Sequence, residues 1–399
     1  MRRRPIGVIQ VRRGPRAFTL VEMLAVLLII AILVGLLVPV ITGAYRRGRE
    51  AAEAVEISNL ANALESFKEH FGVYPPSGIV LIENGDYSPN TWQSLPIFLT
   101  ANNEYGVTKD GVFSRSLSVQ YLRRLWPQLQ ISEAGPPALD LDGDGTPNNS
   151  PLDFYDWNGD GNPSGPQAFA LSGDECLVFF LGGIPTGQYP NGQGVRDPSL
   201  PEKFPPGVIG FARIPENPTA PARLTGSSER LSFFNFEDSA RLVDIDGNGF
   251  WEYVPLRRNV STGYAYFSAY EGAGYRPDDW NLPVEPSGRP MDGQRFLVPW
   301  SLTGYPAPFS QPSPVPHLIS PGPNPYTKGP SFTSTAAPVT YWKPKSFQII
   351  SPGPDGMYGV GGSFTTTDGL SGLTATGQQR VGEEDNLTNF ASVALGNVE

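Results

Sequence analysis

A single glutamate at the head of a membrane-length apolar run constrains this chain more than any other feature. Arg16-Ala17-Phe18-Thr19-Leu20-Val21-Glu22 leads directly into Met23–Ile41, 19 residues without a charge. Such a run is long enough to span a bilayer. A carboxylate at its edge costs roughly 2.5 kcal/mol or more unless something neutralises it. If the chain is cut between Ala17 and Phe18, the new α-amino group lies four residues upstream of Glu22. A second copy of the chain can then present that positive charge to the carboxylate. An ordinary secretory signal is the competing reading, with Arg2, Arg3, Arg4, Arg12, Arg13 and Arg16 as its basic stretch and Thr42-Gly43-Ala44 as its cleavage site. Against it, the run exceeds the about 7–15 residues usual for a signal core, and a signal has no use for Glu22.

This arrangement resembles the N-terminus of type IV prepilins and of the pseudopilins of type II secretion, which are subunits of helical filaments. The resemblance implies a prepilin peptidase that cuts between Ala17 and Phe18 and N-methylates Phe18. It also implies pairing of Glu22 with the N-terminus of an adjacent copy. The family usually has glycine before the cut; Ala17, the smallest substitute, is expected to slow processing or leave it adequate. Ala63-Leu64-Glu65-Ser66-Phe67-Lys68 through Gly72-Val73-Tyr74-Pro75 resembles the end of the pseudopilin helix and its turn, so the likeness extends to residue 76. The expected organisation is a basic leader over 1–17, a pilin helix over 18–76 with its span at about 23–41, and an exported body over 77–399. Six arginines and no acid in the leader favour a cytoplasmic N-terminus. The chain is then a single-pass protein of a bacterial inner membrane, with its body periplasmic or in an extracellular filament. Arg46-Arg47-Gly48-Arg49, beyond the span, weakens that asymmetry without reversing it.

After the span, Ile57, Leu60, Leu64, Phe67 and Phe71 recur at intervals of 3 and 4, which predicts one helical stripe. Glu53, Glu56, Asn59, Lys68 and Glu69 keep largely to other faces. Gly72 and Pro75-Pro76 end the helix, and Gly35 and Pro39 are the expected kink points. The body contains most of the 45 glycines and 42 prolines, so it should be rich in turns and short elements. Ser172-Gly173-Asp174-Glu175 predicts a capping box ahead of a short helix ending at Gly182-Gly183. Strands are expected over 208–214, 264–270 and 346–350, and an extended surface loop over 305–344. The fold class is therefore α+β: a long N-terminal helix, then a loop-rich, pilin-like body with an antiparallel β-sheet and large insertions.

Three stretches place oxygen ligands at alternating positions: Asp140, Asp142 and Asp144; Asp156, Asn158 and Asp160; Asp244, Asp246 and Asn248. Alternation turns three side-chain oxygens to one side of a tight loop, and the interleaved glycines let the chain wrap an ion, as in the first half of a calcium loop. The first stretch also resembles dockerin and thrombospondin-type calcium repeats. No stretch completes an EF-hand, because the twelfth positions are Pro151, Gln167 and Pro255. Asn148, Asp153 or Asp156 could complete the first, and Glu252 the third. Asp-Gly and Asn-Gly pairs also make plain surface turns, and Asp246-Gly247-Asn248-Gly249 could equally head a hairpin returning over 250–254. Phe347 to Gly356, with Glu384 to Phe390, resembles the C-terminal strand and closing loop of the major pseudopilin, which holds a structural calcium. That resemblance implies ligands at Ser351, Asp355, Asp385 and Asn386, the last replacing an expected acid.

Catalysis has little to stand on. His70 and His317 are the only histidines, and Cys176 is the only cysteine, so no intramolecular disulfide forms. No nucleophile elbow, phosphate loop, paired-cysteine site or zincin helix occurs. The formal charge is −10, and −16 without the leader's six arginines, which argues against nucleic acid. The reading is a structural, non-enzymatic subunit of a type II secretion pseudopilus, its body stabilised by Ca2+. Its expected partners are prepilin peptidase, other pilin copies, the secretion platform of the inner membrane, and lipid. A type IV pilus or surface-adhesion subunit is the alternative, and an anchored calcium-dependent binding domain that never polymerises is another.

Overall fold

The computed structural model describes residues 19–94, 115–149, 153–159, 161, 168–186, 206–221, 229–244, 249–256, 262–269, 275, 325–329, 340–356, 358, 364–365, 381–391 and 393–397. The chain divides into two compact units, Met1–Ala52 and Glu53–Glu399. One helix, α1 (Leu20–Phe71), contributes to both. It runs without a break through Gly35 and Pro39. Its end follows local chemistry: Gly72 takes a φ of 75°, and its N–H donates to Lys68 O at 2.7 Å. Only glycine enters that left-handed conformation without strain. In the first unit the apolar side chains are bare, Leu36 being 68% exposed. By length and composition this segment is able to cross a membrane.

In the second unit the helix becomes one-sided. Ile57, Leu60, Leu64 and Phe67 are buried, as the spacing requires, and Phe71 packs partly buried against the same core. The remaining elements are β1 (Ile79–Ile82), α2 (Pro89–Ser94), α3 (Arg115–Leu125), β2 (Ala168–Leu171), α4 (Gly173–Gly182), β3 (Ile184–Thr186), β4 (Gly207–Ile209), β5 (Phe211–Ala212), β6 (Arg230–Leu231), β7 (Leu242–Val243), β8 (Glu252–Tyr253), β9 (Ala265–Ser268), β10 (Thr327–Gly329), β11 (Thr340–Tyr341), β12 (Phe347–Ser351) and β13 (Leu387–Thr388). All ladders between these strands are antiparallel. The largest sheet among the described residues is β13-β12-β9; the others are strand pairs. The body is thus a set of small antiparallel sheets around a few helices.

The expected helix after Ser172 forms as α4, with Glu175 reaching back to accept from Ser172 N–H at 2.6 Å. Every residue of α4 is buried, and after the capping acids Asp174 and Glu175 it is apolar on every side, as a core helix must be. Its first glycine lets the chain approach β9 closely: a Cβ on Gly173 would lie 2.0 Å from Tyr266 O. Two expectations change. The strand expected over 208–214 splits at Gly210 into β4 and β5, which pair with β3 and β6 respectively. Gly210 passes so close to β6 that a Cβ would sit 2.6 Å from Leu231 O. The stretch 305–344 is more than a surface loop where it is described: β10 pairs with β11, and Tyr326 is fully buried in a second small core with Phe267, Ile350 and Phe364.

Glu53 and Glu56 keep off the apolar stripe as expected, yet Glu53 is buried and Glu56 half-buried against other parts of the body. Glu56 receives both guanidinium nitrogens of Arg241 at 2.5 Å and the hydroxyls of Tyr253 (2.7 Å) and Tyr264 (2.6 Å). Arg241 lies over the Tyr253 ring at 4.1 Å. Burial opposes ionisation of Glu56, but these donors and the arginine charge outweigh it, and the carboxyl titrates below its ordinary 4.5. A depressed carboxyl contributes stability that is complete above the unfolded value and fades as pH falls through the folded one. Glu56→Gln should therefore lower stability at pH 7 by about 2–3 kcal/mol. It should also flatten the acid limb below about pH 4.5. Urea unfolding across pH checks both; a midpoint matching wild type at pH 7 would contradict the assignment.

Candidate functional site

At the start of α1, Thr19 and Glu22 satisfy each other. Glu22 Oε2 accepts from Thr19 N–H at 2.8 Å and from the Thr19 hydroxyl at 2.9 Å, while Glu22 N–H donates to Thr19 Oγ1 at 3.2 Å. This reciprocal pattern is a capping box, and its signal is the Thr19-Leu20-Val21-Glu22 spacing. The carboxylate therefore has an intrachain partner where the helix begins. Ala17 and Phe18 lie outside the described residues.

The three carboxylate stretches share one local geometry. The first aspartate accepts, through Oδ2, from the N–H of the glycine five residues on: Asp140 from Gly145 (3.0 Å), Asp156 from Gly161 (3.1 Å) and Asp244 from Gly249 (3.1 Å). Each of these glycines has a positive φ, at 82°, 68° and 95° respectively. That bond and that glycine close the tight first half of a cation loop. Asp160, Asp246 and Asn248 lie outside the described residues. Asp244 follows β7, which pairs antiparallel with β8, and Glu252 lies on β8. Asn158 is buried within its loop.

Only the first stretch gathers three carboxylates among the described residues. One oxygen each from Asp140, Asp142 and Asp153 lies within 4.8 Å of the others, a cluster that could hold a metal ion. Asp144 is diverted: it accepts from Asn149 Nδ2 at 2.9 Å and from Thr146 N–H at 2.7 Å. Those bonds, the Asn149 one foremost, hold its carboxyl below the ordinary value. Asp153, 13 residues after Asp140, closes the cluster by accepting from Leu141 N–H (2.8 Å) and Asn149 N–H (3.1 Å). Of the three completing residues considered from sequence, Asp153 is the one brought in. Asp140 Oδ1 is buried with no hydrogen-bond partner. An orphaned carboxylate oxygen beside two further carboxylates suits a hard cation and suits little else.

At the C-terminal end the expected ligands converge in part. Asp385 Oδ2 accepts from Asp355 N–H at 3.2 Å, and Gly353 passes so close that a Cβ would sit 2.4 Å from Asp385 Oδ1. Ser351 instead donates its hydroxyl to Glu53. Asn386 is fully buried; its amide donates to Tyr358 O (2.8 Å) and Tyr326 OH (3.3 Å), leaving Oδ1 without a donor.

Residues 12–38 match the prokaryotic N-terminal methylation motif. The match covers Ala17, Phe18, Glu22 and most of the apolar run, and it does not separate the type II from the type IV branch. The chain is thus a prepilin-like protein, and the motif implies processing by prepilin peptidase. Proteins of this pilin-like class are generally structural subunits rather than enzymes. No curated protein and no solved structure matches the chain significantly.

Asp153 has a role that does not depend on any ion. Asp153→Ala leaves Leu141 N–H and Asn149 N–H without their acceptor. We expect a loss of about 1–3 kcal/mol in urea unfolding with chelator present. An unchanged midpoint would show that the loop does not depend on this carboxylate.

Proposed function

We propose that the chain is a structural subunit of a type II secretion pseudopilus. One coincidence supports this reading: the methylation motif matches residues 12–38, and a cut before Phe18 would put the new amine four residues before Glu22, at the head of an exposed apolar helix. In the proposed sequence the leader stays in the cytoplasm, and prepilin peptidase cuts before Phe18 and methylates its amine. Extracted subunits then bundle through Met23–Ile41. Glu22 leaves Thr19 and pairs with the N-terminus of an adjacent copy, which sets axial register, as one polar residue does in a helix bundle. A type IV pilus subunit would use the same steps; neighbouring genes for a secretin or for twitching motility separate the two. The capping box favours a second reading, an anchored protein that never polymerises, because Glu22 is already satisfied within its own chain. Glu22→Ala decides between them: the filament reading expects an inserted, folded chain with at least about tenfold fewer filaments, corresponding to about 1.4 kcal/mol of lost register energy. Wild-type filament yield from this variant would refute the proposed pairing.

The body is proposed to bind calcium at Asp140, Asp142 and Asp153, and at the Asp355–Asp385 loop with Ser351 and Asn386. The stretches beginning at Asp156 and Asp244 are weaker candidates. Bound calcium would supply positive charge where carboxylates crowd, tying loops that no disulfide ties. An ion that binds only the folded state stabilises it by about 2.7 kcal/mol at a hundred times its dissociation constant. Calcium should therefore raise the melting temperature of the full chain by several degrees, chelator should reverse the shift, and Asp140→Asn should reduce it. A melting temperature indifferent to both calcium and chelator ends the metal proposal.

A further inference from the structure

Beyond the span, α1 has a feature that neither cleavage nor bundling uses. Tyr45, Arg46, Arg47 and Arg49 are all exposed. Arg46 pairs with Glu50 at 3.5 Å, and Arg49 rides over the Tyr45 ring at 4.5 Å. Among the described residues no carboxylate lies within ion-pair distance of Arg47 or Arg49. At 3.6 residues per turn, Arg47 and Arg49 stand about 100° and about 300° round the axis from Arg46. Since 300° is 60° the other way, the three arginines fan over about 160° of the circumference, and Tyr45, about 100° to that side, widens the arc to about 200°, a partial collar. That arc is wider than the roughly 100° stripe one packed helix face presents, and lipid headgroups around the helix meet all of it.

Depth points to the same occupant. Arg46 to Arg49 follow Ile41 by five to eight residues, about 7.5–12 Å along the axis. The headgroup layer of one leaflet is about 5–8 Å thick. Helical side chains lean towards the N-terminus, so each guanidinium falls back into that layer, and a tyrosine beside them suits the same boundary. We propose that Tyr45, Arg46, Arg47 and Arg49 form a collar for anionic phospholipid headgroups on the exported side of the membrane. Once a leader is removed, this collar is the basic flank the span retains, and it fixes the depth at which the subunit waits. The proposal rests on Met23–Ile41 lying in a bilayer and not on polymerisation.

Native mass spectrometry of the full chain in mixed micelles of phosphatidylglycerol and phosphatidylcholine tests it. Wild type should retain phosphatidylglycerol over phosphatidylcholine by at least about tenfold. Arg46→Gln/Arg47→Gln/Arg49→Gln should lose most of that preference, and Arg46→Lys/Arg47→Lys/Arg49→Lys should keep it. Leader arginines contribute equally to all three chains, so they cancel in the comparison. A wild type that retains both lipids equally, or a glutamine variant with undiminished preference, overturns the collar. A chain that keeps the preference yet never polymerises supports the collar while ending the filament reading.

Discussion

A carboxylate in a protein core is tolerable only when charge and hydrogen bonds close around it, and Glu56 is where the body meets that requirement. Arg241, Tyr253 and Tyr264 close on Glu56 from distant parts of the chain, and their hydrogen bonds and the arginine charge favour its ionised form. The cluster ties Arg241, the β7–β8 hairpin and the chain entering β9 to the helix. One turn earlier, Glu53 takes the Ser351 hydroxyl from the end of β12. The helix segment 53–71 is therefore the spine of the body, held by apolar packing along one side and by two anchored carboxylates on another. Tyr266 adds a hold on the turn that follows, donating to Pro75 O at 2.8 Å.

The same helix changes character along its length. Through Met23–Ile41 it is apolar on every side, with nothing in its own unit to cover it. From Ile57 onward the apolar residues narrow to one stripe. Between the two lie Tyr45 and the arginines, all exposed. Bundling would cover the first part with identical helices, which leaves Glu22 as the polar group whose partner must change. Its present partner, Thr19, gives the helix a capped start before any neighbour is available.

Much of this was legible in local pattern. The helix, its stop at Gly72, α4 behind its capping box, and the strands at 264–270 and 346–350 follow from periodicity and end signals. What escaped depends on residues far apart in sequence. The burial of Glu56 requires Arg241, 185 positions away, and that of Glu53 requires Ser351, 298 positions away. A helical wheel shows neither. The split at Gly210 arises because two different strands compete for one apolar run. In the first carboxylate loop the alternation located Asp140 and Asp142, and Asp153 was among the residues expected to complete it, but Asp144 turns away to Asn149. The capping box at Thr19 is local, carried by a threonine and a glutamate three residues apart.

The mature N-terminus is the most direct test of the central claim, read by mass spectrometry of the native chain extracted from membranes. The account predicts a first peptide that begins at Phe18 with a methylated amine. An intact leader, or a first residue at Tyr45, would contradict it.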